Sequence, residues 1–198
     1  MRQLLLALLF LILSLGAYAA DTSIPYYVPP QQLNALMLVM DSGFSNVFGL
    51  FHTATGSFNY DEANKSISNL RVAIDSTSII TANQDSQRNL ATLLGAFQYP
   101  EIRITSPDSV TFTDGKAQVK AMLTLHGVSK PINLDAVLNK VGKAPASGGM
   151  FSSEGQAVGI ALRGGFKRAD FNITDNPELP SRYGDVIALD IEMQAMRQ

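Results

Sequence analysis

The sequence predicts an all-β fold, an eight-stranded antiparallel barrel with one flanking α-helix. Three observations carry this. Apolar residues recur with period two in about eight stretches, separated by Gly, Pro, Asn and Asp. A single stretch has the helical period instead. An open sheet with so many strands would leave two unpaired edges, which closure removes.

The chain starts with a targeting pattern. Arg2, an apolar run over 4–15 and the cleavage pattern Ala17-Tyr18-Ala19 predict a signal peptide over 1–19, leaving one mature domain over 20–198. The run is shorter than the roughly 20 apolar residues that a membrane-spanning helix needs. No later segment is long and apolar enough either, so the mature chain is expected to be soluble and periplasmic or secreted.

Residues 24–30 carry Pro25, Pro29 and Pro30 and read as a non-helical lead-in. Residues 35–40 are apolar on both faces, as in a strand covered on its outer side; Met37 and Val39 are taken as inward. Residues 47–60 are rich in aromatic and β-branched side chains broken by Gly49 and Gly56. They read as two strands or one strand bent at a glycine, with Val47, Phe51 and Phe58 inward. A polar turn over 61–65 leads to an alternating strand over 67–76 that points Leu70, Val72 and Ile74 inward.

The helix is expected between Asn83 and Phe97. Leu90, Leu93, Leu94 and Phe97 fall at i, i+3, i+4 and i+7, while Asp85, Gln87, Arg88 and Asn89 face water. A strand over 101–106 with Ile102 and Ile104 on one face follows, then a short one over 110–112 and a turn at Asp114-Gly115.

The clearest segment is the hairpin over 123–138. Val119, Ala121, Leu123 and Leu125 share a face of its first strand, and Ile132, Leu134, Ala136 and Leu138 share a face of its second. Gly127-Val128-Ser129-Lys130 reads as the connecting loop, with Pro131 at the start of the strand. Residues 142–155, rich in Gly, Ser, Pro and Ala, read as a connection and not a strand. Strands over 156–167, which brings Phe166 inward, and 186–196 complete the set; a polar loop over 174–184 joins them.

Chemistry is sparse in this chain. With no cysteine there is no disulfide framework and no thiolate site. Fifteen basic residues against 17 acidic ones, scattered along the chain, do not make a nucleic-acid surface. His52 and His126 lack the spaced partners of a metal site, and no G-x-S-x-G elbow is present. Asp61-Glu62 reads as solvated charge in a turn. The densest charged group is Arg163, Lys167, Arg168 and Asp170, read as a solvated strand end or as a barrel-mouth cluster for a polar head group. Small inward residues, Ala35, Gly49, Ala121, Ala136 and Gly164, leave room for one slender apolar ligand in a bore of eight strands.

These features together resemble the YceI-like family of lipocalin-like periplasmic proteins that bind polyisoprenoids and related lipids. The stretch LTLHGVSKPINLDAVL is similar to that family's L-T-x-H-G-V-T-K-P-V hairpin. GFSNVFGLF, AIDSTSI, FQYPEI, FKRADFNI and YGDVIALDIEMQA resemble further family segments, in order, over 26–195. Departures from the pattern fall at Pro29, Asp41, Lys167 and Asn172, and at Arg88-Asn89-Leu90 in the helix.

The resemblance implies a non-catalytic carrier that holds a polyisoprenoid, an isoprenoid quinone precursor or a fatty-acid derivative, with no other cofactor. Residues expected against the apolar tail are Met37, Val39, Val47, Phe51, Phe58, Val72 and Ile74 from the first half of the chain. Leu90, Leu94 and Phe97 join them from the helix, and Ile102, Leu123, Leu125, Leu134 and Phe166 from the later strands. Arg88, His126 and Arg168 are the head-group candidates. The expected partners are the amphiphile itself and a membrane touched transiently, with the chain a monomer or homodimer. A second reading, a solid-core interaction module of the envelope, expects an exposed apolar patch around Val39-Met40 and Phe48-Leu50. A third, a hydrolase or isomerase at the mouth, expects convergent polar groups that the sequence does not display.

Overall fold

The computed structural model describes residues 22–28, 33–41, 46–144, 155–174 and 183–197; the leader read in 1–19 lies outside them. In chain order the strands are β1 (Ile24–Val28), β2 (Leu33–Asp41), β3 (Asn46–Phe51), β4 (Ala54–Asp61), β5 (Ser66–Asp75) and β6 (Ile79–Ile80). Helix α1 (Gln84–Leu93) follows, then β7 (Glu101–Ser106), β8 (Val110–Thr111), β9 (Lys116–Leu125), β10 (Val128–Lys143), β11 (Gln156–Lys167) and β12 (Val186–Arg197).

These strands make eight staves. β3 and β4 run on in one line, parted at His52-Thr53, and β5 and β6 do the same around a 3-10 turn at Ser76–Ser78. β2 pairs with β12 from Ile187 to Met193, and β1 pairs with its last residues, Tyr26 opposite Arg197 and Tyr27 opposite Met196. The sheet therefore runs β1/β2, β3/β4, β5/β6, β7, β9, β10, β11, β12 and returns to its start, an eight-stranded antiparallel barrel closed on itself. Each stave neighbours the next one in sequence, and β8 lies off this ring, paired with β5.

Alternation builds the wall. Val119, Ala121, Leu123 and Leu125 of β9 are buried, and so are Ile132, Leu134 and Ala136 of β10. The connection between these strands is tighter than the sequence suggests. Leu125 pairs directly with Val128, so His126 and Gly127 alone make the turn, with φ of 52° and 72°. Two successive positive φ values mark a type I′ turn, whose twist matches that of the strands. Pro131 is the fourth residue of β10, opposite Met122, and not its first. Its ring nitrogen is directed away from β9 there, where β11 has not yet begun to pair.

Three other boundaries differ from expectation. The proline-bearing lead-in contains a barrel strand: Pro25 takes an outward position of β1 opposite Asn59, and Tyr26 and Val28 are buried. β10 extends past a register shift between Leu138 and Lys140 to Lys143, so Gly142 belongs to a strand, opposite Ala157. The break between β3 and β4 falls at neither glycine. It falls at His52-Thr53, where Thr53 N donates to Ser78 Oγ at 3.2 Å and His52 Nδ1 donates to the Ser78 carbonyl at 2.6 Å.

The helix begins where Asn83 accepts a hydrogen bond from Ser86 N at 2.8 Å, with Asp85 in the favoured first turn. It ends earlier than the apolar spacing implies. Gly95 has φ of 59°, its N–H bonds to the Thr92 carbonyl, and Ala96 N bonds to that of Ala91. That is a Schellman termination, which only a residue tolerant of the left-handed region accepts easily.

Candidate functional site

The barrel interior is a continuous apolar wall. At one end stand α1, the His126-Gly127 turn and the β11–β12 connection; at the other stand the β4–β5 turn and the outer ends of β1 and β12. The helix packs over the first end, seating Leu90 beside Ile79 on the glycine backbone of β3, and Leu94 is fully buried as well. Phe166 and Phe171 meet edge to face beside them, with centroids 4.9 Å apart.

Eleven of the fifteen expected tail-lining residues lie in this single buried cluster. They are Phe51, Phe58, Val72, Ile74, Leu90, Leu94, Ile102, Leu123, Leu125, Leu134 and Phe166. Val47 stands half-buried at its rim. Of the other three, Val39 and Phe97 do not face the interior, and the side chain of Met37 lies outside the described residues. Val39 pairs with the exposed Phe48 on one side and the exposed Ala188 on the other, so it belongs to the outer face. Because 35–40 is apolar at every position, the sequence carries no phase for this strand; pairing alone assigns its faces. Phe97 is 86% exposed. The Gly95 termination takes it off the helical stripe on which the i+7 spacing had placed it.

The three head-group candidates do not converge. Arg88 is exposed on the helix, 3.8 Å from Asp85. His126 sits in the hairpin turn, its ring 4.7 Å from that of Tyr99, and its Nδ1 donates to the Phe171 carbonyl at 3.1 Å. The imidazole thus ties the hairpin to the residues following β11.

Arg168 is buried beneath the β11–β12 connection. Its guanidinium donates to the carbonyls of Gly184 at 2.8 Å and Tyr183 at 3.0 Å. Nor do the four charged residues of that region form a mouth cluster. Arg163 is on the outer wall, bridging β11 to Asp190 and Glu192 of β12, while Lys167 and Asp170 are exposed.

Sequence reasoning missed an aromatic group inside the opposite end. Tyr26 stacks on Phe58, with centroids 6.0 Å apart and planes 7° apart, and meets Tyr60 edge to face at 6.1 Å. Tyr26 and Tyr60 are 5% and 3% exposed. Burial pushes both phenols above their ordinary pKa, with Glu62 adding to the rise. The period-two set Ile24, Tyr26, Val28 was the available signal, obscured by its prolines. Beneath the pair, Asp61 accepts from Thr22 Oγ1 and from the side chain and backbone of Asn64, which holds its carboxyl below the usual range.

A family model described as the YceI-like domain matches residues 26–195. The chain belongs to the YceI-like family. Its similarity extends to Protein YceI of Escherichia coli O157:H7, 31% identical over 194 residues that cover 94% of this chain and 95% of that one. Among solved structures, the Campylobacter jejuni YceI protein superposes with a TM-score of 0.65 at 30% identity, covering 78% of this chain and 86% of its own. A polyisoprenoid binding domain from Saccharophagus degradans, implicated in plant cell wall breakdown, shares the fold with a TM-score of 0.54 at 14% identity, over 87% of this chain and 98% of that one. The YceI-like assignment and the closed barrel agree on the fold.

Proposed function

We propose that this chain is an exported, non-catalytic carrier that sequesters a long-chain amphiphile, a polyisoprenoid, isoprenoid quinone precursor or fatty-acid derivative, inside the barrel. The observation that carries this reading is the apolar interior wall of a closed eight-stranded barrel, sealed at one end by Leu90 and Leu94. A barrel of this size suits one slender chain, and burying an alkyl or prenyl tail gains about 25 cal/mol per Å2 of apolar surface. Membership of the YceI-like family and the shared fold of a polyisoprenoid binding domain support the same class of ligand. Export rests on the leader pattern in residues 1–19.

The test is native mass spectrometry of the mature protein from its own compartment, followed by solvent extraction. A stoichiometric long-chain species is expected. A mass of bare protein that persists after incubation with prenyl and fatty-acyl lipids would overturn the carrier reading.

One observation favours a second reading, an interaction module. Phe48, Leu50 and Ile80 are 48%, 40% and 43% exposed and share the outer wall beside the start of α1. With Asn46, Val47 and Ser86 they border a surface groove of about 500 Å3. Concentration-dependent association of the wild type that Phe48→Ser abolishes would support it, and a monomer at every concentration with no envelope partner recovered would remove it.

A further inference from the structure

On the outer wall, β5 and β7 border a groove of about 540 Å3 whose lining holds two arginines and no carboxylate. Arg71 stands opposite Thr105, and Ala73 opposite Arg103, so the two arginines are diagonal neighbours on one exposed face. Diagonal neighbours lie about 7–8 Å apart, within reach of each other's long side chains. Arg71 has no hydrogen-bond or ion-pair partner among the described residues, and Arg103 pairs with the exposed Glu101. Asp75, the next outward residue of β5 beyond Ala73, is taken up by Thr77, whose N–H and hydroxyl both donate to its carboxylate. Like charges set close on one face cost stability unless something neutralises them. A second feature borders the same groove. The register of β5 against β4 shifts between Ser57 and Asn59, and this bulge brings out Asn69, exposed and with φ of 53°. Its N–H reaches the Pro107 carbonyl at 3.4 Å. Glycine takes a left-handed position at less cost, whereas asparagine places an amide there, two residues from Arg71. Bulges re-aim side chains and gather beside functional sites.

We propose that this groove is an oxyanion site that takes a phosphate monoester between Arg71 and Arg103. A guanidinium offers five N–H donors in a planar fork that matches phosphate oxygens. Two forks balance the nearly two negative charges that a phosphate monoester carries at neutral pH. The Thr105 hydroxyl and the Asn69 amide border the same groove and supply donors for a further oxygen. A carboxylate, with one charge and two coplanar oxygens, satisfies one of the arginines alone. Glu101 is a weak competitor for Arg103, because both side chains of that pair are about half exposed. The site lies on the outer face and owes nothing to the apolar interior, so it stands whether or not the barrel holds a lipid. Its phosphate belongs either to a soluble ester or to a lipid head group.

The experiment titrates the mature protein with glycerol phosphate at low ionic strength, where surface charges are least screened. Acetate and chloride at matched ionic strength are the controls, and the arginine Nε–Hε signals are followed by NMR. Saturable shifts of Arg71 and Arg103 are expected with glycerol phosphate alone. Arg71→Gln, at an exposed position, should keep the wild-type circular dichroism spectrum and weaken binding roughly tenfold, as the loss of a charged donor implies. Lys116→Gln, which removes an exposed charge at the start of β9, should bind as the wild type does. Flotation with phosphatidylcholine vesicles, with and without phosphatidic acid, separates the two sources. Flotation that requires phosphatidic acid and is abolished by Arg71→Gln assigns the site to a lipid head group; glycerol phosphate binding without flotation assigns it to a soluble ester. No saturable shift in the wild type, an equal response to acetate, or wild-type affinity in Arg71→Gln would overturn the site.

Discussion

Leu90 of α1 rests on Gly49 of β3: its Cδ1 lies 3.3 Å from the point that a Cβ on Gly49 would occupy, and Ile79 Cδ1 lies 2.8 Å from the same point. The wall is reduced to bare backbone where the helix docks. Gly49→Val should push Leu90 and Ile79 aside at a cost of about 1–3 kcal/mol. Hydrogen exchange should localise the damage, speeding amide exchange in Gln84–Leu93 and leaving β9 and β10 protected. Unaltered exchange in the helix would show that α1 does not depend on this seat.

Leu94 and Phe97 lie three residues apart and have opposite fates. Leu94→Ala opens a hole in the closed end and should cost about 2–5 kcal/mol in urea unfolding. Phe97→Ala removes a ring that is 86% exposed and should stay within about 0.5 kcal/mol of wild type. Equal losses would place Phe97 back in the core.

Arg168 fastens the β11–β12 connection through the carbonyls of Tyr183 and Gly184. Arg168→Met keeps the length of the side chain and removes the donors. Two acceptors losing a charged donor should cost about 2–4 kcal/mol in a denaturant titration. Limited proteolysis should then cut first near 183–185. A variant as stable as the wild type would return Arg168 to the ligand.

Tyr26 and Tyr60 also predict an alkaline transition. Their pKa values are raised in the fold, so the folded state holds its phenolic protons more tightly than the unfolded chain does. That stabilisation is complete below the unfolded tyrosine pKa of about 10 and is lost as pH rises through the folded values. Absorbance titration of the phenolates should show two tyrosines ionising late, together with unfolding. Early ionisation of every tyrosine at constant secondary structure would contradict this.

What was legible in the sequence was what is local. Period-two alternation in β5, β9, β10 and β12 settles on its own which side chains turn inward, and Asn83 with Asp85 announces the start of the helix. The end of the helix was written in Gly95, but the apolar match of Phe97 to the stripe outweighed it. β1 was hidden by prolines that an outward strand position tolerates, and with it the two interior tyrosines. The faces of β2 had no local signature at all, since Val39 is assigned by its partners in β3 and β12. Arg168 resembled a solvated charge because the carbonyls it serves lie beyond the next connection.

The pairing of Tyr26 with Arg197 and Tyr27 with Met196 has a consequence for biogenesis. Every other junction of the ring joins staves adjacent in the chain, so each can zip up as soon as its second strand exists. This seam must wait. A polypeptide delivered N-terminus first, from a ribosome or through a translocation pore, carries β1 with an open edge until its final strand arrives. Closure of the barrel therefore waits for the last of its strands to be delivered. A truncation that removed all of β12 would do more than trim a tail: with the pairings to both β1 and β2 gone, it would leave a sheet with two free edges, ready to pair with another molecule.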